Sequence, residues 1–285
     1  MISFERLDAP LGALVTGFEA GHETEPSVAS SLADGLLAHS VLIFRGNEIS
    51  PAGLVQLGRA FGELEVLPEP DKRHPDHPEI FNLTNVRPDG DIVTYDEPQS
   101  VFLRGTQRWH TDSSFRQTPA LCTMLYAVEV PPQGGETQFA CMRQALAQLP
   151  AHERSEIETL SLVHSYEYSR ANNPGEMDAM SAEERAKYPP VTHPWVRSHS
   201  DGSQSLYMGG HASHIEDRDP AESRRWFAEI EARLAPGGVV YEHHWQAHDL
   251  VVWDNRTTLH RLMDYDIAND RRVMRRITVA GSPVN

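Results

Sequence analysis

The chain has 285 residues, 39% of them hydrophobic, which is enough to bury a full core in one large domain. Its 41 acidic and 25 basic side chains give a formal net charge of -16. That excess argues against nucleic acid or an anionic membrane as partner, and any anionic ligand must be drawn in by a local basic pocket.

Cys122 and Cys141 form no CxxC pair, nothing resembles a signal peptide after Met1, and no apolar run approaches the ~18 residues of a membrane span. The expectation is a cytoplasmic protein with free thiols. From Phe4 to Phe18 the chain reads as a short hairpin broken by Pro10 and Gly12. Ser27 then opens a helix through Leu36 and Leu37, Val41–Phe44 is a buried strand, and Ser50-Pro51 starts a second helix that ends near Gly62.

Residues 65–107 are rich in Pro, Asp, His and Gly, with one strand at 80–83, and read as a long surface excursion beside an active site. Short strands follow at 121–130, 137–140, 160–168, 195–198, 206–208, 239–244, 250–253 and 271–280. Helices interrupt them at 143–149, 182–187 and 220–234. Many short strands with little regular βα alternation predict a β-sandwich or jelly roll with flanking helices, in a single domain spanning 1–285.

Trp109-His110-Thr111-Asp112 places an imidazole and a carboxylate two residues apart, on one face of an extended segment. With a second histidine they would form the two-histidine, one-carboxylate arrangement that leaves adjacent positions open on Fe(II). An HxD pair recurs by chance, so context decides, and the chain has 15 histidines. His260 follows the strand-then-turn of 249–256, which would present it at a sheet end. In 271–278, alternation puts Arg272, Arg276 and Thr278 on one face and Arg271 and Arg275 on the other. Such a face is either a solvated basic surface or a site for a dicarboxylate, whose oxygens a guanidinium matches in bidentate fashion.

These residues, together with Val41–Gly46 (VLIFRG), Phe61–Leu64 (FGEL), Trp109–Phe115 (WHTDSSF), Pro131–Thr137 (PPQGGET) and Trp253–Arg256 (WDNR), resemble the taurine dioxygenase and dichlorophenoxyacetate dioxygenase family along nearly the whole chain. The segment Gly210–Ile215 (GHASHI) is more similar to the phenoxyacetate branch. The resemblance implies a double-stranded β-helix core, cupin-like, with His110, Asp112 and His260 holding Fe(II). It also implies 2-oxoglutarate and O2 as co-substrates, succinate and CO2 as products, and hydroxylation of a small organic acid, an aryloxyalkanoate or sulfonate, with ether cleavage where the ether carbon is hydroxylated. By the same carry-over, Thr137 and Arg272 bind the distal carboxylate of 2-oxoglutarate. Arg276 sits where the substrate's acidic group or the near end of the co-substrate is held, and a homo-oligomer is expected.

For the substrate, His211 and His214 are candidates, with a hydrogen-bonded structural turn as the alternative reading. The loop also offers Tyr95 among Glu69, Asp71, Lys72, Arg73 and His74, in an order that matches neither branch. Two other functions stay open: desaturation or isonitrile formation on an amino-acid-derived acid with the same cofactors, and a metal-binding jelly roll without turnover.

Overall fold

The computed structural model describes residues 2–18, 24–67, 70–173 and 179–282, so Glu69 lies outside the described residues. The organising element is the ten-residue strand Ala120–Glu129, an interior strand of a seven-stranded sheet. It pairs antiparallel with Leu250–Asp254 on one side and with Val273–Ala280 on the other.

Period-two alternation sorts the side chains of this sheet cleanly. Val41, Ile43, Leu125, Ala127, Val251, Trp253 and Met274 enter one core cluster, while Leu42, Phe44, Met124, Tyr126, Leu250, Val252 and Ile277 enter the other. The second cluster is covered by the helices Pro26–His39 and Pro51–Arg59 through Leu32, Leu36, Leu54 and Leu57. The first cluster faces a three-stranded sheet, in the order Val240–His243, Thr137–Cys141, Thr258–Leu262. Phe139, Ala140 and Leu259 from that sheet close the sandwich. Two sheets packed face to face with helices outside make the jelly-roll core that the strand pattern predicts.

Several boundaries differ from the sequence reading, each for a local reason. Residues 65–107 contain a helix, Pro98–Gly105, as well as the strand Phe81–Thr84. Its first turn is set by Pro98 but Glu97 supplies no side-chain cap, so the usual start signal is missing. Where one strand was expected over 160–168, the strand stops at His164, and the Ser165 hydroxyl accepts from the Tyr168 amide at 3.1 Å to cap the helix Tyr166–Ala171. His260 is mid-strand, not at a sheet end, because the turn at 255–257 is completed before Thr258. Arg272 precedes the strand Val273–Ala280, with a register irregularity between Val273 and Met274. Among the described residues no helix is long and apolar enough to cross a membrane.

Candidate metal centre and adjoining pockets

His110 and His260 meet through their backbones, each amide donating to the other's carbonyl at 3.0 and 2.8 Å. The segment carrying His110 is thereby added to the edge of the three-stranded sheet, and the two imidazoles lie with centroids 4.1 Å apart. Asp112 completes the group. One ligand atom from each of His110, Asp112 and His260 lies within 4.8 Å of the others. Just after Asp112 the backbone turns sharply, with Ser113 at φ +57°.

The Asp112 carboxylate is held on both oxygens. Oδ1 lies 3.1 Å from Arg276 Nη2, and Oδ2 accepts from the Thr123 hydroxyl at 2.6 Å and lies 3.7 Å from His260 Nε2. Burial opposes its ionisation, but the Arg276 guanidinium, the two imidazoles and the Thr123 hydrogen bond together hold it well below the usual carboxylate range. Burial lowers the pKa of His110 and of His260, so both are neutral near pH 7. His110 Nδ1 lies 2.7 Å from the Arg108 carbonyl, which can only accept. The proton therefore sits on Nδ1 and the Nε2 lone pair is free.

Asn255 ties the two halves of the site together. Its carbonyl accepts from the Thr111 hydroxyl at 2.6 Å, its Oδ1 accepts from Trp253 Nε1 at 3.0 Å, and its Nδ2 donates to the Thr123 hydroxyl at 2.9 Å.

Behind the triad a small cavity is lined by Thr137, Trp253, His260, Arg272 and Arg276. Arg272 is 4% exposed, has no carboxylate within ion-pair distance among the described residues, and its Nε has no hydrogen-bond partner. Burial brings its pKa down to about 10, a sign of a guanidinium without its counter-charge. The turn at Gly134 and Gly135, both at positive φ, lets the 131–137 loop come close to it, and a Cβ on Gly135 would lie 3.5 Å from Arg272 Cδ.

In front of the triad a larger pocket is lined by Phe115, Tyr166, Tyr188, His211 and Arg276, among others. The Phe115 ring packs 4.7 Å from Tyr166, 5.8 Å from Tyr188 and 4.9 Å from His211. His211 is oriented by Ser114, whose Oγ lies 3.1 Å from its Nδ1, and burial lowers its pKa to about 3.

A family model described as taurine catabolism dioxygenase TauD, TfdA family matches residues 4–278. The chain belongs to the TauD/TfdA family. It is 39% identical over 251 residues to the alpha-ketoglutarate-dependent 2,4-dichlorophenoxyacetate dioxygenase of Cupriavidus pinatubonensis, covering 86% of each chain. It is 30% identical over 287 residues to the (S)-phenoxypropionate/alpha-ketoglutarate-dioxygenase of Sphingobium herbicidovorans, covering 98% of this chain and 95% of that one. The solved structure of AAD-2 in complex with Mn(II) and N-oxalylglycine matches with a TM-score of 0.90 and 32% identity, over 100% of this chain and 99% of that one.

As a TauD/TfdA dioxygenase, the chain uses Fe(II) and 2-oxoglutarate. Its own residues fit both. Two neutral imidazoles and one ionised carboxylate are a donor set suited to Fe(II), and the guanidinium of Arg272, without a carboxylate partner among the described residues, suits the dicarboxylate.

Of the residues singled out from sequence, His110, Asp112, His260, Thr137, Arg272 and Arg276 come together around one centre, and His211 lines the front pocket. Two do not join them. Tyr95 is 55% exposed and lines a separate groove, its ring stacked on the Arg104 guanidinium at 3.7 Å, and His214 pairs with the Ser213 hydroxyl at 2.8 Å outside both pockets.

Sequence reasoning passed over Arg108, Phe115, Arg116, Tyr166 and Tyr188 as pocket residues, and Thr123 as the brace on Asp112. Arg108 was within reach, since the alternation that pairs His110 with Asp112 includes the residue two before. Tyr166 and Tyr188 carried no signal, because they converge only through tertiary packing of two short helical segments.

Proposed function

We propose that this chain hydroxylates a small organic acid bearing an aromatic group, of the aryloxyalkanoate kind, with His110, Asp112 and His260 as the iron ligands. What carries the reading is the front pocket, in which an aromatic wall of Phe115, Tyr166 and Tyr188 stands opposite the triad among arginines. Aromatic surfaces of this kind contribute packing area to a ring, and guanidinium groups select an acid. The (S)-phenoxypropionate and 2,4-dichlorophenoxyacetate activities named for the relatives agree with such a substrate.

When bound, iron and 2-oxoglutarate supply the oxidising power, with 2-oxoglutarate leaving as succinate and CO2. The protein's residues position and exclude. Thr137 and Arg272 take the distal carboxylate of 2-oxoglutarate in the rear cavity, where the Thr137 hydroxyl already accepts from Trp245 Nε1 at 3.0 Å and can turn its own proton to the carboxylate. Arg276 spans both cavities, and its hold on Asp112 keeps that carboxylate ionised and directed. The rings of the front pocket set the target C–H against the triad and keep water from it. The neutral His211 is suited to donate or accept one hydrogen bond there. A single domain is supported by the seven-stranded sheet, whose two faces carry both core clusters, and a reducing compartment by the buried free thiols Cys122 and Cys141.

A succinate-release screen across aryloxy, sulfonate and amino-acid-derived acids tests this. The expected result is release with an aryloxy acid, dependent on His110 and Asp112, and a product heavier by one oxygen or its ether-cleavage fragments. Turnover confined to an amino-acid-derived acid with loss of two hydrogens would replace the reading with desaturation.

A further inference from the structure

Thr137 opens the middle strand of the three-stranded sheet, paired with His243 on one side and with Leu262 on the other. It is buried, and its hydroxyl has one hydrogen-bond partner among the described residues, the indole Nε1 of Trp245 at 3.0 Å. That partner can only donate. A threonine hydroxyl has one proton and two lone pairs, so the indole takes an accepting side and the proton is left without an acceptor among the described residues. The same cavity holds Arg272, whose Nε also has no partner. Two buried donors therefore line one small space, and nothing within the described residues accepts from either.

The direction of the indole N–H is itself set by packing. The Trp245 ring stands edge-on to His243, with centroids 4.5 Å apart and planes at 81°. His243 is fully buried and engaged at both ring nitrogens, Nδ1 lying 3.0 Å from the Tyr241 hydroxyl and Nε2 3.2 Å from Asp249 Oδ2. Asp249 Oδ2 also accepts from the Gln246 amide at 2.9 Å, which closes the turn that carries Trp245. An imidazole held at both ends cannot rotate, and a ring laid against it keeps its own orientation.

Resting on the reading that Thr137 and Arg272 take the distal carboxylate of 2-oxoglutarate, we propose that Trp245 is a positioning residue for the co-substrate. Its indole N–H occupies the accepting side of the Thr137 hydroxyl and keeps that hydroxyl as a donor toward the rear cavity before any ligand arrives. Trp245 does not line the cavity, so its effect passes through Thr137. With the indole N–H removed, the hydroxyl is free to turn, and binding a carboxylate must first fix it again. Two residues that act through one hydrogen bond are non-additive, which makes the pair open to a double-mutant cycle.

The test measures 2-oxoglutarate affinity by calorimetry on the Mn(II)-loaded protein, for wild type, W245F, T137V and the double variant, with Mn(II) affinity measured separately. T137V should lose roughly tenfold or more, as expected for a hydrogen bond to a charged group, and W245F at least about threefold. The double variant should bind 2-oxoglutarate within about twofold of T137V, and all variants should bind Mn(II) within about twofold of wild type. If W245F does not accumulate, a chain carrying 3-benzothienylalanine at position 245, which keeps the bicyclic ring and replaces only the N–H, is held to the same limits. A smaller loss in the position-245 variant, a double variant weaker than T137V by more than that margin, or Mn(II) affinity falling along with 2-oxoglutarate affinity would overturn the role of Trp245. T137V equal to wild type would overturn it together with the rear-cavity reading beneath it.

Discussion

Thr123 gives its hydroxyl proton to Asp112 Oδ2 at 2.6 Å while accepting from Asn255 Nδ2 at 2.9 Å, so one small side chain on the strand Ala120–Glu129 fixes the charge-bearing member of the triad. Its position on the strand explains this. Thr123 points to the same side as Leu125 and Ala127, into the space between the sheets.

Thr123→Val keeps the shape and removes both hydrogen bonds. We expect metal affinity to fall by roughly 10–100-fold, the usual effect of losing a group that orients a ligand, with the fold retained. Equilibrium binding of Mn(II) or Fe(II) to the variant measures it. Affinity equal to wild type would mean that Arg276 alone holds Asp112 in place.

Arg272 gives an unusual pair of expectations. A buried guanidinium without a counter-ion is a cost to the protein alone and a gain to the complex with a dicarboxylate. Arg272→Met should leave the ligand-free protein as stable as wild type or more stable, by up to about 4 kcal/mol, as apolar replacement of buried charges does elsewhere. The same variant should lose the rise in melting temperature that 2-oxoglutarate with Mn(II) gives to wild type. Thermal melts with and without these additions decide, and a clear drop in ligand-free stability contradicts the account.

Gly134 adopts φ +75°, and a Cβ there would lie 2.3 Å from the Asp264 carbonyl oxygen and 3.0 Å from Tyr265 Cα. Gly134→Ala adds the ~1–2 kcal/mol cost of a left-handed conformation to that clash. Since Tyr265 is an electrostatic neighbour of Arg272, the displaced loop should weaken 2-oxoglutarate binding as well as lower the urea midpoint. An unchanged dissociation constant for 2-oxoglutarate would show that the loop moves without disturbing the rear cavity.

His164 is fully buried, neither ring nitrogen has a hydrogen-bond partner among the described residues, and burial lowers its pKa well below 6.5. In the unfolded chain it takes up a proton as pH drops below its ordinary value near 6.5, and in the folded chain it does not. Protein stability should therefore fall with decreasing pH in that range, by at most about 1.4 kcal/mol per pH unit from this residue. His164→Leu should flatten the dependence between pH 6.5 and 4.5, read from urea unfolding at fixed ionic strength. A slope identical to wild type assigns the acid sensitivity to other groups.

The sheet strands were legible from the sequence because their apolar runs alternate between two cores, and Val41–Phe44 and Leu250–Asp254 fall where their β-branched residues place them. That His110, Asp112 and His260 belong together was legible through motifs in order and spacing, and the three side chains do meet in space. Less visible were elements whose start signals are weak, such as the helix Pro98–Gly105 with its uncapped Glu97. The aromatic wall of the front pocket was hidden for a different reason. Phe115, Tyr166 and Tyr188 lie on three separate segments, and nothing local in any of them announces a shared pocket. Tyr95 shows the converse, an aromatic in the right loop that faces solvent instead.

The reciprocal backbone bonds between His110 and His260 join distant parts of the chain, and His260 arrives only with the penultimate strand of the fold. Pairings so far apart in sequence form slowly and late. A partly folded chain consequently lacks the His110, Asp112 and His260 group. The grouping of His110, Asp112 and His260 is thus a property of the closed sandwich and of no local segment of the chain.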